Sequence, residues 1–357
     1  VAPGGEVEWL CLPRPDGPSV FGALLDRSAG SFRIGPKEME VPAGRRYLPG
    51  TNVLETTWQT STGWLVVHDA LIIGPWNDDR RTTGYRRPPG DYQAEHLLLR
   101  VAQCIDGQVD LTLDCSPSFG YGHTDARWNY AVDGFDEAIA TGRSQDLPLR
   151  LTTDLRLGIE GRSAVAFTRL EEGERCFIAL SWGTTDEGTT DVERDSRLGL
   201  APPPSDIDRA QEMISETAGF WRGWLSNGEF PDHPWREHLQ RAALTLKGLT
   251  YAPTGALLAA STTSLPETPG GERNWDYRYS WVRDATFALW GLYTLGFDFE
   301  ANGFFHFIAD QIRDGSPLRV VYGVDGEAEL PELTIEHLSG YESSQPVRTG
   351  NDAYLQE

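Results

Sequence analysis

Residues 264–284 gather the side chains best suited to chemistry. The segment opens with Pro266, Pro269, Gly270 and Gly271, breakers that mark a loop. Tyr277, Tyr279 and Trp281 then recur at every second position, which in an extended chain turns three rings to one side. Arg283 and Asp284 follow at once and lead into an apolar run, 285–295, long enough for a helix. Such a set suits a sugar. Ring faces pack on the C–H face of a pyranose, while a guanidinium and a carboxylate grip neighbouring hydroxyls through charge-assisted hydrogen bonds. Aromatics at period two are more often the core of a half-buried strand, and an adjacent Arg–Asp is more often a surface pair or a cap. Here four charged and four aromatic residues alternate within eleven positions, a density that a simple core strand does not tolerate.

Cleaving a glycosidic bond takes two carboxyl groups, set roughly 6.5–9.5 Å apart when the anomeric centre inverts. Asp276 and Asp284 are the carboxylates of the stretch. Other chemistries find no support. The seven histidines show no metal-ligand spacing, and His123, His233 and His238 stand isolated. No nucleophile elbow, phosphate loop or dinucleotide fingerprint occurs in a strand–helix setting.

Longer stretches carry a resemblance. Thr-Thr-Ser-Leu-Pro-Glu at 262–267, Gly270-Gly271, Arg-Asn-Trp-Asp-Tyr-Arg-Tyr at 273–279 and Trp-Val-Arg-Asp at 281–284 resemble the signature of glycoside hydrolase family 15. That family holds inverting glucoamylases, glucodextranases and bacterial α,α-trehalases. Trp-Leu-Cys-Leu-Pro-Arg at 9–14 with Pro-Ser-Val-Phe at 18–21 is similar to its opening hairpin. The wording at 1–9, 85–91 and 344–348 is most similar to the actinobacterial trehalase branch.

The resemblance implies an enzyme releasing glucose from trehalose, with an exo-acting α-glucan hydrolase of the glucoamylase type as the alternative. From another class, a disaccharide phosphorylase or a non-catalytic sugar-binding fragment stays open. It also implies that Arg283 and Asp284 hold hydroxyls of the glucose whose bond is cut. Tyr277 and Trp281 shape the pocket, and the 346–351 loop forms another wall, with Arg348 its best contact and Asn351 beside it. The family's general acid and base are glutamates in later loops, the acid in an Ile-Trp-Glu-type context that does not occur before Glu357. No catalytic group is therefore expected within 1–357, and the chain is expected to be the N-terminal portion of a longer enzyme. The branch brings phosphate and magnesium as possible cofactors, for which no site is readable; the chemistry itself requires none.

The elements that must position these residues fall into two kinds. Residues 1–200 read as short strands at 8–12, 52–58, 64–73, 96–102, 109–114, 164–168 and 176–182, with turns at Asp106-Gly107, Glu160-Gly161 and Glu172-Gly173. That pattern predicts an antiparallel β-sandwich. A minor reading makes the sandwich a carbohydrate-binding module with Trp76, Tyr85 or Trp128 as its platform, and the basic run 80–87 a phosphate contact rather than a solvated loop. Residues 201–204 read as a stiff Pro-rich linker. Ser205 should cap a linker helix reaching about Leu225, so that 201–232 joins the two domains. Helices follow from Pro234 to about Leu249, over 288–295 and over 304–312. The stretch around Phe287, Leu289, Trp290, Leu292 and Tyr293 is apolar all round, which predicts a helix covered on both sides. From 233 to 357 the reading is the first part of an (α/α)6 toroid.

The chain has 357 residues, so two domains are the prior, and a net charge of −22 argues against nucleic acid and anionic membrane surfaces as partners. No apolar run approaches the roughly 18–20 residues of a membrane span. Residues 1–5 carry neither an initiator Met nor a signal pattern. Four cysteines without CxxC spacing read as buried free thiols, pointing to the cytoplasm. A small carbohydrate is the expected partner, and a homo-oligomer is possible.

Overall fold

The computed structural model describes residues 1–73, 94–131, 133–143, 147–183, 203–313 and 315–356. Trp76, Tyr85, the basic run 80–87 and the first two residues of the Pro-rich segment 201–204 lie outside them. The described residues up to Ala218, apart from Gly50–Asn52, form one compact unit; Gly50–Asn52 and the residues from Gly219 onward form a second.

The first unit is built on one antiparallel sheet of twelve strands. In chain order these are β1 (Glu6–Val7), β2 (Ser31–Pro36), β3 (Gly44–Tyr47), β4 (Leu54–Gln59), β5 (Gly63–Ile73), β6 (Ala94–Ser116), β7 (Arg127–Tyr130), β8 (Glu137–Thr141), β9 (Leu149–Thr153), β10 (Gly158–Glu160), β11 (Ser163–Glu171) and β12 (Arg175–Trp182). One path runs β7-β8-β9-β12-β6-β5-β4-β3, and β6 also pairs with β2 and β11. The 23-residue β6 thus serves two ladders. Its first half pairs with β12 and β5, its second half with β11 and β2.

The turn expected at Asp106-Gly107 lies inside this strand. Gly107 has φ +67°, and a Cβ there would meet the Thr62 carbonyl oxygen at 2.2 Å. A bulge opposite Trp64 and Leu65 absorbs the local twist, so the glycine bends a continuous strand instead of ending it. Glu160-Gly161 and Glu172-Gly173 do turn the chain, each with its glycine at positive φ. Inward positions of both ladders close over a core centred on Trp58, with Phe21, Phe32, Ile34, Leu65, Val67, Leu111 and Leu113 around it. Trp128 is buried in the same core and its indole N–H donates to the Arg162 carbonyl, so it cannot serve as an open sugar platform.

All four cysteines are free and buried. Burial pushes the thiols of Cys104, Cys115 and Cys176 up. Ellman's reagent is therefore expected to label essentially none of the four in native protein and all four in urea. Native labelling of two or more would show that the core is open.

The boundary between the units falls within helix α1 (Ile207–Leu225). Its cap is Asp206, one residue later than expected: the Arg209 N–H donates to Asp206 Oδ1, while Ser205 supports that carboxylate. The second unit holds α2 (Arg236–Gly248), α3 (Val282–Thr294) and α4 (Asp298–Gln311). It also has three two-residue ladders: β13 (Thr250–Tyr251) with β14 (Ala256–Leu257), β15 (Ser280–Trp281) with β16 (Val321–Tyr322), and β17 (Leu333–Thr334) with β18 (Arg348–Thr349).

The all-round apolar α3 is buried on one side only. Ala285, Leu289 and Leu292 enter the core, whereas Phe287, Trp290 and Tyr293 are 65 %, 67 % and 64 % exposed. Apolar composition predicted cover on both sides, but none of the described residues packs on the second face.

Candidate active site

The site grows from a β-like ladder between residues 259–264 and 275–279. Ala259 and Ala260 N–H donate to the carbonyls of Tyr279 and Tyr277, Thr263 bridges Asp276, and the Ser264 N–H donates to Trp275. Period two holds along this segment, but with polar residues inside. Asn274, Asp276, Arg278 and Ser280 are wholly buried, while Trp275, Tyr277 and Trp281 reach solvent to different degrees. The pleat therefore hides the charges and presents the rings.

The three aromatics do not form one open platform. Tyr279 is buried against Val321 and Leu330, and its hydroxyl accepts the Gly350 N–H at 3.0 Å. Tyr277 and Trp281 remain as a pair, ring centroids 5.9 Å apart and planes tilted by 54°. Burial pushes the Tyr277 phenol up; the Glu267 and Asp284 carboxylates add to this and the Arg283 guanidinium works against it. All three charges are near enough to act on the phenol. Among the described residues the Trp281 indole N–H and the Ser280 hydroxyl have no hydrogen-bond partner.

Chain direction changes at Trp281, which is extended and caps α3. Arg283 and Asp284 thus lie in the first helical turn. They pair at 3.1 Å, with side chains 73 % and 43 % exposed. An ion pair that open contributes at most about 1 kcal/mol. The helix dipole favours Asp284 there but disfavours Arg283. Stability does not explain the arginine, and an exposed fork beside a carboxylate can hydrogen-bond to the hydroxyls of a polar ligand.

Asp276, the other expected carboxylate, is spoken for. Its Oδ1 accepts Arg278 Nε and the Arg278 backbone N–H, and its Oδ2 accepts Arg278 Nη2 at 2.7 Å. Sequence reading passed over this pair, although Asp-x-Arg in an extended chain puts both charges on one face.

The 348–351 loop is tied to the same stretch. Arg348 stacks over the Trp275 ring at 4.4 Å, pairs with Glu332 at 3.0 Å and donates to the Glu272 carbonyl. Its backbone N–H donates to the Ser264 hydroxyl, and its carbonyl accepts both Thr263 and Ser264 hydroxyls. Ser264 holds φ +58°, a strained position that these bonds enforce. Asn351 caps the short turn Asp352–Leu355 with Oδ1 and donates from Nδ2 to the Asp276 carbonyl. Gly350 has φ +79°, and a Cβ there would lie 2.0 Å from the Pro331 carbonyl oxygen. The structure therefore brings Tyr277, Trp281, Arg283 and Asp284 together, whereas Arg348 and Asn351 spend their polar atoms on neighbouring backbone and Glu332.

Among the described residues no group of three or more His, Cys, Asp or Glu side chains could hold a metal ion, and no helix is long and apolar enough to cross a membrane.

Residues 233–356 match the family model described as glycosyl hydrolases family 15, and residues 1–73 match one described as trehalase-like, N-terminal. A protein named trehalase from Mycobacterium tuberculosis is 56 % identical over 364 residues, covering 100 % of this chain and 51 % of that protein. A trehalase from Mycolicibacterium smegmatis is 57 % identical, with 52 % of it covered, and one from Thermoplasma volcanium is 31 % identical, with 51 % covered. The chain thus spans about half the length of these curated relatives. In fold, it is similar to a bacterial glucoamylase whose crystal structure holds acarbose: TM-score 0.59 at 11 % identity, covering 92 % of this chain and 50 % of the other. Residues 233–356, which carry the Tyr277, Trp281, Arg283 and Asp284 cluster, are thus similar to glycosyl hydrolases family 15, and they follow a segment similar to the trehalase-like N-terminal domain.

Proposed function

We propose that the chain is the sugar-holding half of an inverting hydrolase that releases glucose from trehalose. The observation that carries this is the exposed Arg283–Asp284 pair at the mouth of α3, beside the Tyr277 and Trp281 rings. The name trehalase on relatives of 56–57 % identity supports the substrate.

The two rings take the C–H face of one glucose, and the guanidinium and carboxylate take two of its hydroxyls. That fixes the ring whose anomeric carbon becomes oxocarbenium-like. A protonated Glu protonates the glycosidic oxygen while a second Glu activates water on the opposite face, both supplied from outside 1–357. Arg348 and Asn351 serve as walls that hold the Trp275–Asp276 backbone in place. The hydrolysis itself requires neither phosphate nor magnesium.

For architecture, we read the two ladders sharing β6 as a β-sandwich over 1–200, the segment 201–232 as the linker, and 233–357 as the start of an (α/α)6 toroid. The bare row Phe287, Trp290 and Tyr293 supports the last reading, since a helix apolar on both sides belongs between two layers. Four buried free thiols support a reducing, cytoplasmic setting.

Glucose release from trehalose and from maltotriose, measured side by side with the complete protein, tests the function. Turnover of trehalose alone is the expected result. Turnover of maltotriose instead would make it a glucoamylase-type enzyme. Silence on both, with glucose 1-phosphate appearing when phosphate is added, would make it a phosphorylase.

A further inference from the structure

We propose that the buried Asp276–Arg278 ion pair is a positioning device for Tyr277, the residue between its two members. The inference rests on the sugar-site reading above.

Both side chains are fully buried and joined by a two-bond fork, Nε to Oδ1 at 2.9 Å and Nη2 to Oδ2 at 2.7 Å. A buried pair is a poor source of stability, because desolvation offsets most of the attraction and an apolar pair of similar volume does as well or better. What a planar fork supplies beyond an apolar pair is direction. Its members sit at positions i and i+2 of an extended chain, so closing the fork fixes the pleat at the intervening residue.

The peptide groups around Tyr277 are held in the same way. The Asp276 carbonyl accepts Asn351 Nδ2 at 3.1 Å, the Tyr277 carbonyl accepts the Ala260 N–H at 2.9 Å, and the Arg278 N–H donates to Asp276 Oδ1 at 3.1 Å. Only the side-chain torsions of Tyr277 remain free, and its ring lies against Trp281. The ring is thus aimed before any sugar arrives, which is the condition for a contact to act on the transition state.

A double-mutant cycle in the complete protein tests this. Arg278→Lys keeps the charge but loses the fork. It is expected to lower kcat/KM for trehalose by about 10–100-fold, the scale of an ångström-level misplacement. In a Tyr277→Ala background the same substitution is expected to cost less than about 3-fold, because the aimed group is gone. The fall in Tm should match in both backgrounds, which separates positioning from loss of structure. Equal losses of kcat/KM in the two backgrounds, or no loss in either, would overturn the proposal and leave the sugar site standing. An unchanged kcat/KM for Tyr277→Ala alone would remove Tyr277 from the site and take both readings with it. Should Arg278→Lys not fold, Asp276→Asn/Arg278→Gln replaces it in the cycle, keeping an amide pair of similar size without charges. Failure of both variants to fold would assign the pair to the fold alone.

Discussion

Replacing Asp284 with alanine in the complete protein is expected to lower kcat/KM for trehalose by about 10²–10³-fold, the cost of removing one charge-assisted contact from a transition state. Stability should hardly change. The side chain is 43 % exposed, and among the described residues its ion pair is with an arginine still more open to water. An exposed pair of that kind contributes at most about 1 kcal/mol. The combination of a large kinetic loss and a small thermal one is what a binding group shows and a cap does not. Steady-state kinetics and a melting curve on the same preparation check it. An unchanged kcat/KM would take Asp284 out of the site, and a collapse of the melting temperature would return it to the fold.

The largest effect on stability is expected in the first unit, at Arg100. This side chain is fully buried and donates from Nε to Asp69 at 2.7 Å, from Nη1 to the Phe32 carbonyl at 2.8 Å and from Nη2 to the Gly5 carbonyl at 2.6 Å. Its guanidinium also lies over the Phe32 ring, 4.9 Å from the centroid. Arg100 reaches Asp69 Oδ1, and Oδ2 has no hydrogen-bond partner among the described residues, so the buried carboxylate depends on Arg100. Arg100→Leu should therefore cost about 3–5 kcal/mol, the penalty for leaving a buried charge alone. That is a large share of the roughly 5–15 kcal/mol that holds a domain together. Urea unfolding measures it. Arg46→Ala, which breaks the exposed pair with Glu55, is the control and should cost less than about 1 kcal/mol. Asp69→Leu added to Arg100→Leu should recover part of the loss, but not all, because two carbonyls stay unpaired. Equal, small losses for Arg100→Leu and Arg46→Ala would mean that water reaches the pair.

Much of this was legible in order along the chain. The strand character up to Trp182, the helix after Pro234 and the helix that holds Arg283–Asp284 in its first turn all show in local pattern, because strand and helix periods are properties of neighbours. Free, buried thiols were legible from cysteine spacing and flanks. The hidden parts share a cause. Strands β2, β3 and β7–β10 are short, and each forms against a partner strand: β2 on β6, β9 on β12, β8 on β9, β7 on β8, β3 on β4 and β10 on β11. Asp106-Gly107 looks like a turn until two different ladders claim the residues on either side of it.

The candidate site divides the same way. Sequence by itself determined which residues could hold a sugar, since Tyr277, Trp281, Arg283 and Asp284 are close in the chain and adopt a strand-then-helix path set by local preference. Tertiary structure decided which neighbours are taken. Asp276 faces Arg278 inside the protein, Tyr279 is occupied by Gly350, and Arg348 lies flat on Trp275 between Glu332 and the Glu272 carbonyl. It also decided that one face of α3 stays bare although its composition is apolar throughout. Sequence periodicity says which way a side chain points, and burial depends on what arrives from far along the chain to meet it.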